Sequence, residues 1–585
     1  MASAPMPVRL TSLHGATLSR AWEYPSPANS TAQIVPLKSR RSSDDSSADA
    51  APFSRKFGRR PPISAPTPSM RGDIMMTKHA HAAFSADRAS AIGARRSLSS
   101  AMAKLADPRL LREFAFIGGR WRSAESGATI AVSDPASGET IGRVPNMGAT
   151  ETREAVEAGE KASAGWRALL PQARAKILER WHGLILANRE DLAILMTLEQ
   201  GKPLEESRGE IGYAASFVEW FAEEAKRLDG EMPASHLPNR LMTVRREPVG
   251  VTAAVTPWNF PAAMITRKAA AALAAGCPMV VRPASETPFS ALALAELAER
   301  AGVPAGVLSV VTGDAEPIVG ELCANPLVRA LSFTGSTEVG KRLLRQGAET
   351  VKRMSMELGG HAPFIVFPDV ELDEAVAAAL DAKFQTSGQD CLAANRLYVH
   401  ADIYEAFVER FAERAKALKV GSGFEAGVAI GPLMHERAVA KCQAHVDDAI
   451  AKGARLLAGG RRLGGLFYAP TVIADADEEM AIFNEETFGP VAAVARFETE
   501  AEIVERANAT RYGLTAYLYT RDHDRVCRMT GALAYGMVGV NCVKMTGAPI
   551  PFGGVKESGL GREGGRHGIH EFTELKYVCA AYKAA

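Results

Sequence analysis

The chain has 585 residues, 47% apolar and 23% charged, which is too long for one compact core and ordinary for a globular protein. Its 68 basic and 67 acidic side chains leave a net charge of +1, so nothing in the balance suggests nucleic acid or another polyanion as the main partner. Seven cysteines, none in a CxxC pair, argue against a disulfide framework and a zinc site and fit a reducing compartment, and no apolar run is long enough for a membrane helix.

Residues 1–100 carry 14 Lys/Arg against 6 Asp/Glu, a balance of +8, so the other 485 residues stand at −7. The segment is rich in Ser, Ala and Pro and cannot bury enough apolar surface to offset its ordering entropy, so residues 1–105 are expected to be disordered. Its basic, acid-poor composition is that of an organellar transit peptide, which would place the protein in the mitochondrion. Met75, Met76 and Met102 are plausible true starts, which would make the extension a translation-start artefact or a functionless tail on a cytoplasmic protein. We favour the second reading.

From about Leu110, short apolar runs separated by Gly, Asp-Pro and Ser-Gly turns predict strands and hairpins. From Thr150 to about Leu228, apolar residues at three- and four-residue spacing, as in "ARAKILERWHGLILANREDLAILMTLEQG", predict long helices. "LMTVRREPVG" reads as an exposed edge strand. From Val249 strand and helix alternate: "VGVTAAVTPW", "AMITRKAAAALAAG", "PMVVRPA", "SALALAELAERAG", "GVLSVVTG", "AEPIVGELCAN", "VRALSFTGS", "TEVGKRLLRQG". Such alternation means a parallel sheet with crossover helices, whose ligands bind beyond the carboxyl ends of the strands. A second α/β stretch runs from "ELGGHAPFIVF" to about residue 560.

Four places could carry chemistry, and each has a plain reading too. "FTGSTEVG" opens a helix, so the N–H groups after Gly335 and Ser336 suit a pyrophosphate or simply an N-cap. In "TPWNFP", Asn259 could donate to a developing oxyanion or fill an Asx-turn. In "MELGGHAP", Glu357 sits between Met356 and Leu358; burial would raise its pKa and suit a general base, or it is a structural carboxylate. Cys391 in "FQTSGQDCLAANR" is a nucleophile or an inert buried thiol.

The order of these segments, together with "EETFGPV" and "PFGGVKESGLGREGG", resembles the aldehyde dehydrogenase superfamily from about Leu110 to the end. "PWNFPAAMITRKAAAALAAGCP" and "ELKYVC" are most similar to its succinate-semialdehyde dehydrogenases. The resemblance implies an α/β fold with a Rossmann-type cofactor domain (106–228 and 249–357), an α/β catalytic domain (358–560) and a small β oligomerisation arm (229–248 and 561–585) of a dimer or tetramer. It implies Cys391 as the nucleophile, Asn259 and the cysteine N–H as oxyanion donors, and Glu357 as the base that activates water against a thioester. It places Trp258, Asn259 and Leu358 by the nicotinamide, Gly335 and Ser336 by the pyrophosphate, and Glu486 with Phe488 by the nicotinamide ribose.

Two departures bear on specificity. The family usually has Lys where this chain has Arg282, and many NAD-preferring members have Glu where it has Ser285. Serine removes a charge that repels a 2′-phosphate, so NADP is favoured, with NAD also usable. Of the two arginines that grip the distal carboxylate in succinate-semialdehyde enzymes, Arg267 is present and the other position holds Gln385. Succinic semialdehyde is the first expectation and glutaric semialdehyde or another aldehyde the alternative. A thiol hydrolase without a cofactor and a retired structural homologue are the competing classes; no metal, membrane or nucleic acid is implied.

Overall fold

The computed structural model describes residues 105–583; the expectations for residues 1–104 lie outside the described residues. The chain enters through an antiparallel pair, β1 (Ala115–Ile117) and β2 (Arg120–Arg122), then a hairpin, β3 (Thr129–Ser133) and β4 (Thr140–Pro145). Four helices follow: α1 (Ala149–Ala168), α2 (Pro171–Ala187), α3 (Arg189–Gln200) and α4 (Leu204–Glu224). The segment from Ala173 to Gly201 is divided between two helices, because the chain turns at Asn188, whose side-chain amide donates to Leu184 O at 2.8 Å. An amide that bonds its own backbone competes with helix continuation.

A long strand, β5 (Arg240–Pro248), leads into the predicted alternation: β6 (Val251–Val255), α5 (Ala263–Ala275), β7 (Met279–Arg282), α6 (Pro288–Ala301), β8 (Leu308–Val310), α7 (Ala315–Ala324), β9 (Val328–Thr334), α8 (Thr337–Ala348) and β10 (Arg353–Glu357). Gly276 ends α5 in the left-handed region at φ +97°, which lets its N–H reach back to Ala272 O and Leu273 O. The rest comprises β11 (Ala362–Val366), α9 (Leu372–Phe384), β12 (Ala394–His400), α10 (Tyr404–Lys416), α11 (Glu436–Ala451), β13 (Arg455–Ala458), β14 (Arg462–Gly464), β15 (Phe467–Tyr468), β16 (Thr471–Ala474), α12 (Ala481–Asn484), β17 (Val491–Phe497), α13 (Glu500–Asn508), β18 (Thr515–Tyr519), α14 (His523–Ala532), β19 (Met537–Val540), β20 (Gly559–Leu560), α15 (Gly565–Gly568) and β21 (Thr573–Ala581).

These strands make two large sheets. The first runs β2-β1-β8-β7-β6-β9-β10-β20 and is parallel from β8 to β10. The second runs β13-β16-β17-β12-β11-β18-β19 and is parallel from β16 to β19. Central strands such as β6 are buried at every residue, as a sheet covered on both faces requires. In the first sheet the strand order reverses between β6 and β9, so the loops after these two strands diverge and leave a crevice.

β5 and β21 form a separate antiparallel ribbon, nine residue pairs long from Thr573↔Pro248 to Ala581↔Arg240. The residues just before β21 do not follow it outward. Glu563, Ile569 and Phe572 are buried, and the two apolar ones join the core that contains α5.

Candidate active site

The turns after β6 and β9 deliver Asn259 and Gly335-Ser336 to the crevice. Asn259 is buried, and its amide nitrogen donates to the carbonyl of Gln389, two residues before Cys391, at 3.0 Å. Its own carbonyl accepts from Lys202 Nζ at 2.6 Å. Lys202 pairs with Glu210 at 2.6 Å, both side chains almost wholly buried, and its ammonium lies 4.1 Å from the centre of the Phe260 ring. The second oxygen of Glu210 accepts from Ala262 N at 2.9 Å and Ala263 N at 3.2 Å, at the start of α5. A buried ion pair with further hydrogen bonds at both ends fixes the Asn259 turn against two helices. Sequence reasoning missed Lys202 and Glu210; their eight-residue spacing on and before α4 looks like any helical surface pair.

Cys391 sits in the loop between α9 and β12, partly buried. The three residues Thr386 (φ 49°), Ser387 (φ 58°) and Gly388 (φ 71°) are all left-handed, a conformation costing roughly 1–2 kcal/mol per non-glycine residue. Local bonds hold it. Glu206 accepts from Thr386 N at 3.0 Å, Ser387 Oγ donates to Gly431 O at 3.0 Å, and Gln389 Oε1 accepts from Met434 N at 2.9 Å. A Cβ on Gly388 would stand 2.3 Å from Gly489 O, so only glycine fits. Glu206, on α4, is a further residue that sequence reasoning missed, 180 positions away from its partner.

Two cavities meet at Cys391. One, of about 510 Å³, is lined by Tyr213, Phe260, Arg267, Gln385, Asp390 and Cys391 among others. The other, of about 560 Å³, is lined by Trp258, Asn259, Gly335, Ser336, Leu358 and Glu486, together with Phe488 and Cys391. The structure thus brings together every catalytic candidate except Glu357 on the walls of one or both spaces. Burial, with Asp390 and Glu486 nearby, holds the Cys391 thiol well above its ordinary pKa, and Arg267 partly offsets this.

Glu357 ends β10 and is 2% exposed. It lines neither cavity. Its Oε1 lies where a Cβ on Gly553 would come within 2.8 Å, and neither oxygen has a hydrogen-bond partner among the described residues. Burial first, then the nearby Glu563 carboxylate, push its pKa well up, against the pull of Arg267, Lys268 and Arg562. A buried carboxyl held above its usual range has the chemistry of a general base.

Arg267 lies on α5, with Lys268 beside it; both are about 1% exposed. Both pair with Glu563: Lys268 hydrogen-bonds it, and Arg267 forms an ion pair with its Nε 2.5 Å from Glu563 Oε2. The Arg267 guanidinium also stacks 4.1 Å from the Phe552 ring centre. It lines the first cavity while its charge is already answered by Glu563.

In the second cavity Trp258 meets Phe488 edge to face, with ring centres 5.6 Å apart. Glu486 Oε1 accepts from Gly360 N at 3.0 Å, while Oε2 has no hydrogen-bond partner among the described residues. Burial raises the Glu486 carboxyl to about 7. Ser336 caps α8 through a bond from Val339 N at 3.3 Å, leaving the first N–H groups of that helix at the crevice. An apolar wall of Trp258, Leu358 and Phe488, a helix N-terminus and an unpartnered carboxylate oxygen fit a dinucleotide with its ring, phosphates and ribose hydroxyls. Arg282 and Ser285 stand apart at the end of β7. Arg282 Nη2 donates to Ser285 Oγ at 2.8 Å and to Gly313 O at 3.0 Å. Among the described residues, no group of three or more His, Cys, Asp or Glu is placed to hold a metal ion, and no helix is long and apolar enough to cross a membrane.

Residues 121–578 match the model of the aldehyde dehydrogenase family. The chain is 56% identical over 478 residues to a non-phosphorylating aspartate-semialdehyde dehydrogenase of Halomonas elongata, covering 81% of this chain and 97% of that one. It is 54% identical over 478 residues to the NADP(+) succinate-semialdehyde dehydrogenase of Escherichia coli, covering 81% and 99%. A crystal structure of an aldehyde dehydrogenase from Brucella melitensis biovar abortus superposes with a TM-score of 0.82 at 54% identity, covering 82% of this chain and all of that one.

Proposed function

Because the chain belongs to the aldehyde dehydrogenase family, we propose that it oxidises a short aldehyde with a distal carboxylate, succinic semialdehyde in the first instance, to the acid. The observation that carries this reading is the meeting of the two cavities at Cys391, one fit for a dinucleotide and one for a small polar molecule.

The Cys391 thiolate attacks the aldehyde carbon, and a carbon–sulfur bond forms as the carbonyl oxygen takes the charge. Asn259 Nδ2 and the Cys391 N–H hold that oxyanion; one such donor is worth about 2.7–4 kcal/mol. When bound, NADP or NAD supplies the acceptor for the hydride that leaves the same carbon, and the carbon is left as a thioester on Cys391. Gly335 and Ser336 would hold the pyrophosphate, Glu486 the nicotinamide ribose, and Trp258, Leu358 and Phe488 the ring. Glu357 takes a proton from water, the water oxygen adds to the thioester carbon, and the carbon–sulfur bond breaks to release the acid and the thiolate.

NADP is the favoured cofactor, since Ser285 puts no charge against a 2′-phosphate and Arg282 adds a positive one. Glutaric semialdehyde is the second reading for the substrate, because Gln385 on the cavity wall contributes no charge to a clamp for the shorter chain. The ribbon of β5 and β21 would pair subunits in a homodimer or homotetramer.

The direct test is absorbance at the reduced-nicotinamide band, with succinic, glutaric and simple aliphatic aldehydes, each with NAD and NADP. Reduction with an acidic semialdehyde is the expected result; no reduction with any pair in folded protein overturns the reading. Arg267→Ala should raise KM for acidic aldehydes, and an unchanged KM removes Arg267 from the clamp.

A further inference from the structure

Cys391 follows a turn that its own sequence does not favour. Thr386 and Ser387 stand at φ 49° and 58°, and Gly388 comes next at 71°. Glycine tolerates that region, but threonine, branched at Cβ, is disfavoured there. A group outside the turn has to hold Thr386 in it. Its N–H and its hydroxyl both donate to one oxygen of Glu206, on α4, at 3.0 and 3.3 Å.

The residues after the turn carry what the reaction uses. Gln389 follows Gly388 directly, and its carbonyl accepts from the Asn259 amide at 3.0 Å. Cys391 comes two residues later. A shift of the turn therefore moves the thiol, the Cys391 N–H and the anchor of Asn259 together. We propose that Glu206 is a positioning residue for Cys391: its ionised carboxylate holds Thr386 in the left-handed turn, and the thiol and both oxyanion donors stay in register only while it does. This rests on Cys391 acting as the nucleophile of aldehyde oxidation and adds the group that keeps it aimed.

The hold depends on pH. Burial raises the Glu206 carboxyl to about 7, against the pull of Lys202 and of the two Thr386 donors, with Asp390 adding to the rise. Asp390 is itself pushed up by burial. Elsewhere on the cavity wall Glu205 pairs with Arg208, Glu210 with Lys202 and Arg267 with Glu563. Tyr213 and Cys391 are held above their ordinary values, and Lys544 is exposed. As pH falls through about 7, Glu206 takes a proton. A neutral carboxyl is a weaker acceptor than a carboxylate, so Thr386 is held less firmly.

The test is the rate of the first cofactor reduction after rapid mixing of full-length protein with the aldehyde it uses best, followed against pH. In the wild type the rate should fall more steeply below about pH 7 than above it. Glu206→Gln keeps an acceptor for Thr386 and cannot titrate. It should lose that break and run about tenfold slower at pH 8, the usual scale of one charge-assisted hydrogen bond. The aldehyde concentration giving half the limiting rate should hardly change. Thr386→Gly, added to Glu206→Gln, should recover part of the rate, because glycine adopts the left-handed turn unaided. Thr386→Val removes the hydroxyl donor that favours the ionised form, so it should move the break to higher pH. Without cofactor, hydrogen exchange across residues 385–391 should be faster in Glu206→Gln than in the wild type, with the rest of the chain unchanged.

A Glu206→Gln protein with the wild-type rate and break overturns the inference and leaves the dehydrogenase reading intact. A raised half-saturating concentration at an unchanged limiting rate does the same, since it makes Glu206 a substrate contact. If Glu206→Gln fails to fold, Thr386→Val decides, and a break that it leaves unmoved overturns the inference. Wild-type protein that reduces no cofactor with any aldehyde overturns both.

Discussion

Lys202 reaches from the start of α4 to the carbonyl of Asn259, 57 residues on, at 2.6 Å, and the other end of Asn259 bonds the Gln389 carbonyl at 3.0 Å. The amide proposed to hold the oxyanion is therefore fixed at its backbone and at its side chain by groups from different parts of the chain. Donors set in advance of the reaction need no reorganisation when charge develops.

Asn259→Ala should lower kcat by about 10²–10³-fold, the usual loss for one oxyanion donor. KM should change little, because the contact strengthens only as charge forms. Steady-state kinetics on the reduced-nicotinamide signal checks both halves. A variant that raises KM at constant kcat would show that Asn259 binds the ground state.

Lys202→Met should destabilise the fold by about 3–5 kcal/mol, because it strands the Glu210 carboxylate in a buried site. The double variant Lys202→Met/Glu210→Gln should recover part of that loss. Denaturant melts of the three variants and the wild type give the coupling directly. Additive losses would mean that the pair does not act as a unit.

Glu357→Gln should leave one equivalent of cofactor reduced per active site and abolish further turnover, since the hydride leaves before water is needed. Rapid-mixing absorbance reads the burst. In the wild type the proposed nucleophile, Cys391, and the proposed base, Glu357, both sit above their ordinary pKa values. Each must lose a proton to act, so log kcat/KM should climb as pH rises through neutrality into the alkaline range. A profile flat from pH 6 to 9 would remove both ionisations from the rate.

Glu199 is fully buried on α3 and accepts from Phe289 N at 2.7 Å and Ser290 N at 2.8 Å, at the start of α6; burial pushes its carboxyl up to about 8. Between the ordinary value of 4.5 and 8 the folded chain holds a proton that the unfolded chain has lost. Stability from this group is thus full below pH 4.5 and declines as pH rises toward 8. Glu199→Gln should flatten Tm against pH across that window, as read by thermal melts at fixed salt. Unchanged curvature would place the pH dependence elsewhere.

Much of the cofactor side was legible in the sequence, because periodicity and punctuation report it locally. The buried run Val251–Val255, the cap at Gly276 and the turn at Gly335-Ser336 all appear as predicted. What was not legible depends on contacts between distant residues. Nothing around Lys202, Glu206 or Glu210 distinguishes them from helix-surface charges until α4 is seen against the Asn259 and Cys391 loops. Asn188 resembles any mid-helix amide until its bond to Leu184 O is seen. Arg267 was legible as a cavity residue, yet its answer in Glu563 lies 296 positions away, in a loop that carries no helix or strand signal of its own.

The β5–β21 ribbon has mostly exposed or half-exposed residues, and Leu241, Leu575 and Tyr577 stand open to solvent on it. A lone two-stranded ribbon is marginal in water, and its outer edges carry unpaired N–H and C=O groups. Whatever covers those edges contributes to holding it together. The subunit pairing proposed for this ribbon would cover those edges, and by mass action its melting would then depend on protein concentration.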